Sequence, residues 1–112
     1  MTIKQVDIEI IRPLRSLVLR PGLPIEFTDY DRDKELQTLH YANIVNQKVC
    51  SIATFYPEPM LEVEALVAYR LRGMATHPNY RRQGLARSMM IQAMADINNL
   101  GCDLLWCKAR LV

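Results

Sequence analysis

Hydrophobic and polar positions recur at two different periods along this chain, and the changes of period mark out its elements. Val6, Ile8 and Ile10 alternate with polar neighbours, which predicts a short strand near residues 3–8. Ile10, Leu14, Leu17 and Val18 fall at the i, i+4, i+7 and i+8 spacing of one helical face, so a helix is expected near 11–20. Pro13 suits the first turn of that helix, and Pro21-Gly22 stops it. Residues 21–36 hold Pro21, Gly22, Pro24 and the charged run Asp29–Glu35, a long loop of the kind that often carries function. Thr38–Val45 and Val49–Tyr56, rich in β-branched and aromatic residues, flank Asn46-Gln47-Lys48 as a hairpin. Pro57-Glu58-Pro59 ends its second strand, because proline has no N–H to give to a ladder. Ala65–Thr76 reads as the next strand, and Gly73 within it predicts a bulge or a close backbone approach.

A long helix opens near Arg82–Leu85 with Ala86, Met90, Ala93, Met94 and Ile97 as its apolar face, and Asn98, Asn99 and Gly101 mark its end. Asp103–Arg110 is the last strand. The order β, α, β, β, β, α, β ends in a βαβ crossover, so Ala65–Thr76 and Asp103–Arg110 should run parallel with a right-handed connection.

Composition narrows the class without naming a chemistry. The 112 residues suit one domain spanning 1–112, and 23% charged with half hydrophobic is ordinary globular usage. No apolar run approaches the roughly 20 residues that span a bilayer. Lys4, Asp7 and Glu9 stand where a signal peptide needs its apolar stretch, so a cytoplasmic protein without a membrane partner is expected. Cys50, Cys102 and Cys107 are an odd set without C-x-x-C spacing, and His40 and His77 are the only histidines. Reduced thiols and no metal site are the expectation. The net charge of +2 conceals two halves: residues 26–64 carry eight acids against three bases, and 65–112 two acids against seven bases. A basic half suits an anionic ligand and an acidic half a cationic one, although two solvated surfaces would look the same.

The chemistry concentrates at Arg81-Arg82-Gln83-Gly84-Leu85-Ala86. A helix start with a glycine and a small residue offers unpartnered N–H groups and the positive end of the helix dipole to an anion. The G-x-x-x-x-G-K-[ST] loop of nucleoside triphosphate enzymes is missing, and one glycine stands where a dinucleotide fingerprint needs three. Arg81-x-x-Gly84-x-Ala86 instead resembles the Q/R-x-x-G-x-G/A signature of the GNAT superfamily of N-acetyltransferases. Around it, Met74-Ala75-Thr76-x-Pro78-x-Tyr80-Arg81-Arg82-Gln83-Gly84-Leu85-Ala86 is similar to that family's strand-and-loop phrase, and the likeness extends over residues 6–110.

The resemblance implies an α/β (α+β) fold of the acyl-CoA N-acyltransferase type, a mixed central sheet flanked by helices. It implies an acetyl-CoA-dependent N-acetyltransferase that moves an acetyl group to a primary amine by direct attack on the thioester. The cofactor-binding residues it implies are Met74, Ala75, Thr76, Arg81, Arg82, Gln83, Gly84, Leu85, Ala86 and Arg87. Gly84 and Ala86 are small enough for a diphosphate to reach the amides of Arg82 through Ala86. Charge-assisted hydrogen bonds of roughly 1.5–3 kcal/mol each make a few such contacts sufficient. By the same resemblance, pantetheine lies between Ala65–Thr76 and Asp103–Arg110, pairs with the backbone of Met74 and Thr76, and has its thioester polarised by an N–H near Met74.

Such a transfer needs a base for the ammonium and an acid for the thiolate. The family's strand glutamate corresponds to Arg72 here, and Glu62, Glu64, Tyr69 and His77 are the nearby alternatives. The family's tyrosine acid lies on a helix that would begin at Leu111-Val112, where this sequence ends, so a member lacking that helix and the last two strands is implied. The catalytic residues therefore stay unassigned, and a non-catalytic CoA-binding or interaction module is the competing reading. An open last strand carrying Leu104, Leu105 and Trp106 predicts a homodimer. The acids of 26–64 point toward a polyamine, amino sugar or basic peptide as acceptor. No stretch joins basic residues to the aromatic platform that single-stranded nucleic acid requires, so no nucleic-acid partner is expected.

Overall fold

The computed structural model describes residues 1–108. A single sheet of order β1-β2-β3-β4-β5 runs through Thr2–Val6, Leu39–Val45, Lys48–Pro57, Ala68–Thr76 and Leu104–Trp106, flanked by α1 (Ile8–Leu19) and α2 (Leu85–Asn99). β1 to β4 are antiparallel neighbours, and β5 joins β4 in parallel across the α2 crossover, as the element order required. The mixed sheet with its helices is the acyl-CoA N-acyltransferase fold expected from the resemblance.

Alternation along β3 divides the core. Ala53 and Phe55 face α2 with Tyr41 and Tyr69, while Ile52 faces α1 with Ile8, Ile11, Leu14 and Ala75. Tyr69 and Ala75 stand an even number of residues apart on β4 and would share a face in a regular strand. They do not, because the register slips by one between Ile52 and Thr54, opposite Gly73. The bulge anticipated at that glycine moves the end of β4 onto the other face. Tyr41 also donates its hydroxyl to Asp96 at 2.7 Å, fastening α2 to the sheet. Burial, followed by that carboxylate, pushes the Tyr41 phenol above its usual range.

Several boundaries differ from the sequence expectations. The first strand stops at Val6, and α1 starts at Ile8, not near residue 11, leaving Pro13 in its second turn. Its buried face is Ile8, Ile11, Leu14 and Arg15, while Ile10 and Leu17 are exposed. The α2 stripe is Leu85, Met89, Ala93 and Ile97; Met94 is half exposed, and Ala86 and Met90 lie at the edge. Both faces are thus turned by about one residue from the expected ones, because several registers of an apolar-rich helix satisfy the same spacing. The hairpin turn is Asn46-Gln47 alone, both left-handed at φ +49° and +67°, a two-residue turn matching the twist of its strands.

β4 begins at Ala68, since Leu66 and Val67 are tied to Asp103 instead of to β3. The last strand is short, Leu104–Trp106, and the expected Ala109, Arg110 and the Leu111-Val112 end lie outside the described residues. Leu104, Leu105 and Trp106 are half-buried: the Trp106 indole donates to the Glu58 carbonyl at 2.8 Å, with Arg70 over its ring. Among the described residues no helix is long and apolar enough to cross a membrane.

Candidate functional site

β4 and β5 pair only from Ala68–Leu104 to Arg70–Trp106 and then separate. A cleft of about 730 Å³ opens where they part, lined by Leu71, Arg72, Gly73 and Met74 of β4, Cys107 and Lys108 after β5, the α1 end and Tyr30. Asp103 fixes the paired end. Its two carboxylate oxygens accept the Leu66 and Val67 N–H groups at 2.9 Å each, and its own N–H returns to the Val67 carbonyl at 2.9 Å. Those two amides hold the carboxyl below the usual range.

The opposite wall depends on Gly73. Its backbone is left-handed at φ +63°, and a Cβ there would stand 3.0 Å from Tyr30 Cε2 and 3.2 Å from the Tyr30 hydroxyl. Absence of a side chain lets the tyrosine edge close on the strand. The ring lies between two guanidinium groups, Arg15 at 4.1 Å and Arg72 at 4.0 Å.

The loop carrying Tyr30 is tied to α1 and the sheet. Arg15, wholly buried, donates to both oxygens of Asp33 at 2.6 and 3.2 Å, to Thr54 Oγ1 at 2.8 Å and to the Thr28 carbonyl at 3.2 Å. Thr54 Oγ1 meets His40 Nδ1 at 2.8 Å, and His40 Nε2 meets the Asp33 carbonyl at 2.9 Å. One assignment satisfies this set: Thr54 donates to Nδ1, and Nε2 donates to the carbonyl. Outside it, Arg12 grips Asp29 through two bonds of 2.8 Å, which holds the Asp29 carboxyl low and raises the guanidinium. A 3-10 turn at Ile25–Thr28 completes the loop.

Beyond the cleft, β4 leads into the Arg81–Ala86 segment. Thr76 Oγ1 lies 2.9 Å from Ser51 Oγ, and the His77 N–H donates to the Cys50 carbonyl at 2.8 Å. His77 Nδ1 accepts from the Asn79 N–H at 3.1 Å, so this histidine caps the Pro78–Tyr80 turn. Arg82 and Gly84 are both left-handed, at φ +63° and +74°, and curl the backbone into the helix start. The first helical bond runs from the Ser88 N–H to the Gly84 carbonyl, so the N–H groups of Leu85, Ala86 and Arg87 precede it. Nothing stands within 4 Å of the place a Gly84 Cβ would occupy. The buried Asn43 amide donates to the Leu85 carbonyl at 3.0 Å and sets the height of the helix end.

The sequence-predicted residues fall into three groups. Met74 and Thr76 lie on the free part of β4, and Arg81, Arg82, Gln83, Gly84 and Arg87 are exposed around the helix start, with Ala86 half-buried. Ala75 and Leu85 turn their side chains into the core and offer backbone only. The base alternatives disperse: Tyr69 is in the α2 core, His77 is a cap, and Glu62 and Glu64 sit exposed outside the cleft. Sequence reading missed Val18, Leu19, Arg20, Tyr30, Cys107 and Lys108 as cleft residues. Only the Pro-bounded acidic loop gave a signal toward Tyr30.

Four of the eight acids that suggested a cationic acceptor are held in salt bridges among the described residues. Asp29 pairs with Arg12, Asp33 with Arg15, Glu35 with Arg32, and Glu58 with Arg70 and Arg32. Among the described residues lining the cleft none is acidic, while Arg20, Arg70, Arg72 and Lys108 are basic.

Known proteins share this fold. An uncharacterized N-acetyltransferase of Bacillus subtilis, YitI, is 31% identical over 110 residues, covering 98% of this chain and 74% of its own. The aminoglycoside N-acetyltransferase AAC(6')-Iy, solved with CoA, superposes with a TM-score of 0.81 at 17% identity, over 97% of this chain and 76% of that one. A ribosomal-protein-alanine N-acetyltransferase from Brucella melitensis biovar Abortus 2308 gives 0.79 at 16% identity, over 100% and 83%. At such identities the two structures establish the fold. The Acetyltransferase (GNAT) family matches residues 9–111. With nearly the whole described chain inside that match, this protein belongs to the GNAT acetyltransferase family and is an N-acetyltransferase.

Proposed function

We propose that this chain transfers the acetyl group of acetyl-CoA to a primary amine that attacks the thioester directly. One observation carries the reading: β4 lines the cleft with Gly73 and Met74, then leads through the Pro78–Tyr80 turn to the open amides that follow Gly84. The space at Gly84 and the unpartnered helix N–H groups suit a diphosphate. Amides from Arg82 to Ala86 would hold it, with Arg81, Arg82 and Arg87 adding charge and Gln83 beside them. The backbone of Met74, Ala75 and Thr76 would take the pantetheine arm. Acetyl-CoA brings an activated acyl carbon and a thiol leaving group.

In the transfer, the ammonium first loses a proton to solvent, the amine nitrogen bonds to the acyl carbon and gives up its second proton to solvent, the carbon–sulfur bond breaks, and the thiolate takes up a proton. We assign that donation to Tyr30, whose hydroxyl edge reaches the β4 bulge between two cations. Solvent then returns a proton to the Tyr30 oxygen.

Calorimetry with CoA tests the binding claim, and free-thiol release across an amine panel tests turnover. Gly84→Asp, which sets a carboxylate at the diphosphate position, should abolish CoA binding; unchanged affinity would refute the loop assignment. Binding without thiol release from any amine would make the chain a CoA-binding module. The same reading includes a second copy paired along the open side of β5, since β4 is its one partner among the described strands. A monomeric mass by light scattering at micromolar concentration would remove the dimer. The three free thiols fit a reducing cytoplasm.

A further inference from the structure

The charge of the cleft bears on which amine it accepts, and on that point the structure reverses the hint in the sequence. We infer that the acceptor is an amine that also carries an anionic group, a carboxylate or a phosphate, and that Arg72 receives that group. The inference rests on the acetyl-transfer reading above, but its test does not require turnover.

Arg72 is the best-placed cation. Its guanidinium lies over the Tyr30 ring at 4.0 Å, one residue from the bulge that shapes the cleft, and no carboxylate pairs with it among the described salt bridges. A stacked guanidinium is already oriented, so little side-chain entropy is lost when it receives a planar or tetrahedral anion. Arg20 and Lys108, exposed at the rim and likewise without a described salt bridge, add to the positive field. Arg70 contributes least, because Glu58 sits 3.0 Å from it.

Among the described residues no acid lines the cleft to reverse this sign. Asp29 and Asp33 are bound to Arg12 and Arg15, and neither lines the cleft. A polycationic amine would bring several like charges against Arg20, Arg72 and Lys108, which a partly enclosed site screens poorly. The CoA phosphates do not answer the excess, since Arg81, Arg82 and Arg87 stand with the helix start and outside the cleft lining.

The test titrates 2-aminoethyl phosphate, ethanolamine and spermidine by calorimetry into the free protein and into protein saturated with CoA. The expected result is at least tenfold tighter binding of 2-aminoethyl phosphate than of either other amine, weakening as salt is raised. Arg72→Gln should remove most of that advantage while CoA affinity stays within twofold, and Arg72→Lys should restore part of it. Arg20→Gln and Lys108→Gln, at exposed positions, should each weaken the phosphate amine about threefold. Spermidine binding as tightly as 2-aminoethyl phosphate, no binding of the phosphate amine in either form, or an unaltered preference in Arg72→Gln would each overturn the inference. Failure to bind CoA, with the phosphate amine still preferred by the free protein, would count against the acetyl-CoA reading and leave the charge assignment standing.

Discussion

Gly73 and Gly84 are both left-handed, but they are glycines for different reasons, and substitution separates the reasons. At Gly84, φ is +74° and the space around a Cβ is open, so alanine meets only the backbone cost, about 1–2 kcal/mol. At Gly73, φ is +63° and the methyl would stand 3.0 Å from the Tyr30 ring, so overpacking adds roughly 1–3 kcal/mol to the same backbone cost. Urea denaturation should therefore place Gly73→Ala below Gly84→Ala in stability. Equal losses would show that the ring does not pack at the bulge. The acceptor preference should fall with Gly73→Ala alone, since only that methyl displaces the platform under Arg72. Gly73 was legible in the sequence because a glycine inside a strand pattern is an anomaly with few causes. Tyr30 and its two guanidiniums were not, because a stacked contact between a loop and a distant strand leaves no local periodicity.

At the scale of elements, order and type were legible, and helix register was not. The strand–helix sequence and the parallel crossover follow from periodicity and chain connectivity, which few topologies satisfy together. Which face of α1 turns inward depends on the sheet, and the buried Arg15 is a charge that no apolar pattern includes. The paired end of β4 and β5, beyond which the cleft opens, is likewise held by a side chain outside either strand. Asp103 spans that junction, and its ionisation gives a pH test. Its native carboxyl sits below the unfolded value, so its contribution is present above the ordinary carboxylate range, near pH 4, and is lost as pH falls through the native value. Asp103→Asn keeps one acceptor for two N–H groups and has no charge to titrate. The gap in thermal midpoint between wild type and Asp103→Asn should be full at pH 6 and narrow steadily below about pH 4. A gap that does not change with pH would mean the carboxylate's charge contributes nothing to that junction.

The molecule as a whole joins its first helix, its long loop and the middle of its sheet through one buried polar set. Arg15 of α1, Asp33 of the loop, His40 of β2 and Thr54 of β3 share it, and Asp33 also accepts the Tyr30 N–H at 2.6 Å. The sequence marks the Asp29–Glu35 run as part of a long loop of the kind that often carries function, and it names no partner for these charges, because only a tertiary contact can bury one. The network makes loop order and cleft shape one property. Asp33→Ala strands a guanidinium in the core and frees the Tyr30 amide, which should cost about 3–5 kcal/mol. Arg15→Met with Asp33→Leu removes both charges together and should cost less than Asp33→Ala alone, since an apolar pair of similar volume often replaces a buried ion pair with little loss. Both variants should expose residues 21–38 to protease and lose the preference for an anionic amine, because each releases Tyr30 from below Arg72. Urea midpoints for the two singles and the double close the cycle. A double variant as unstable as the sum of its singles would show the pair to be uncoupled, and the loop would then be held by Arg12 and Asp29 instead.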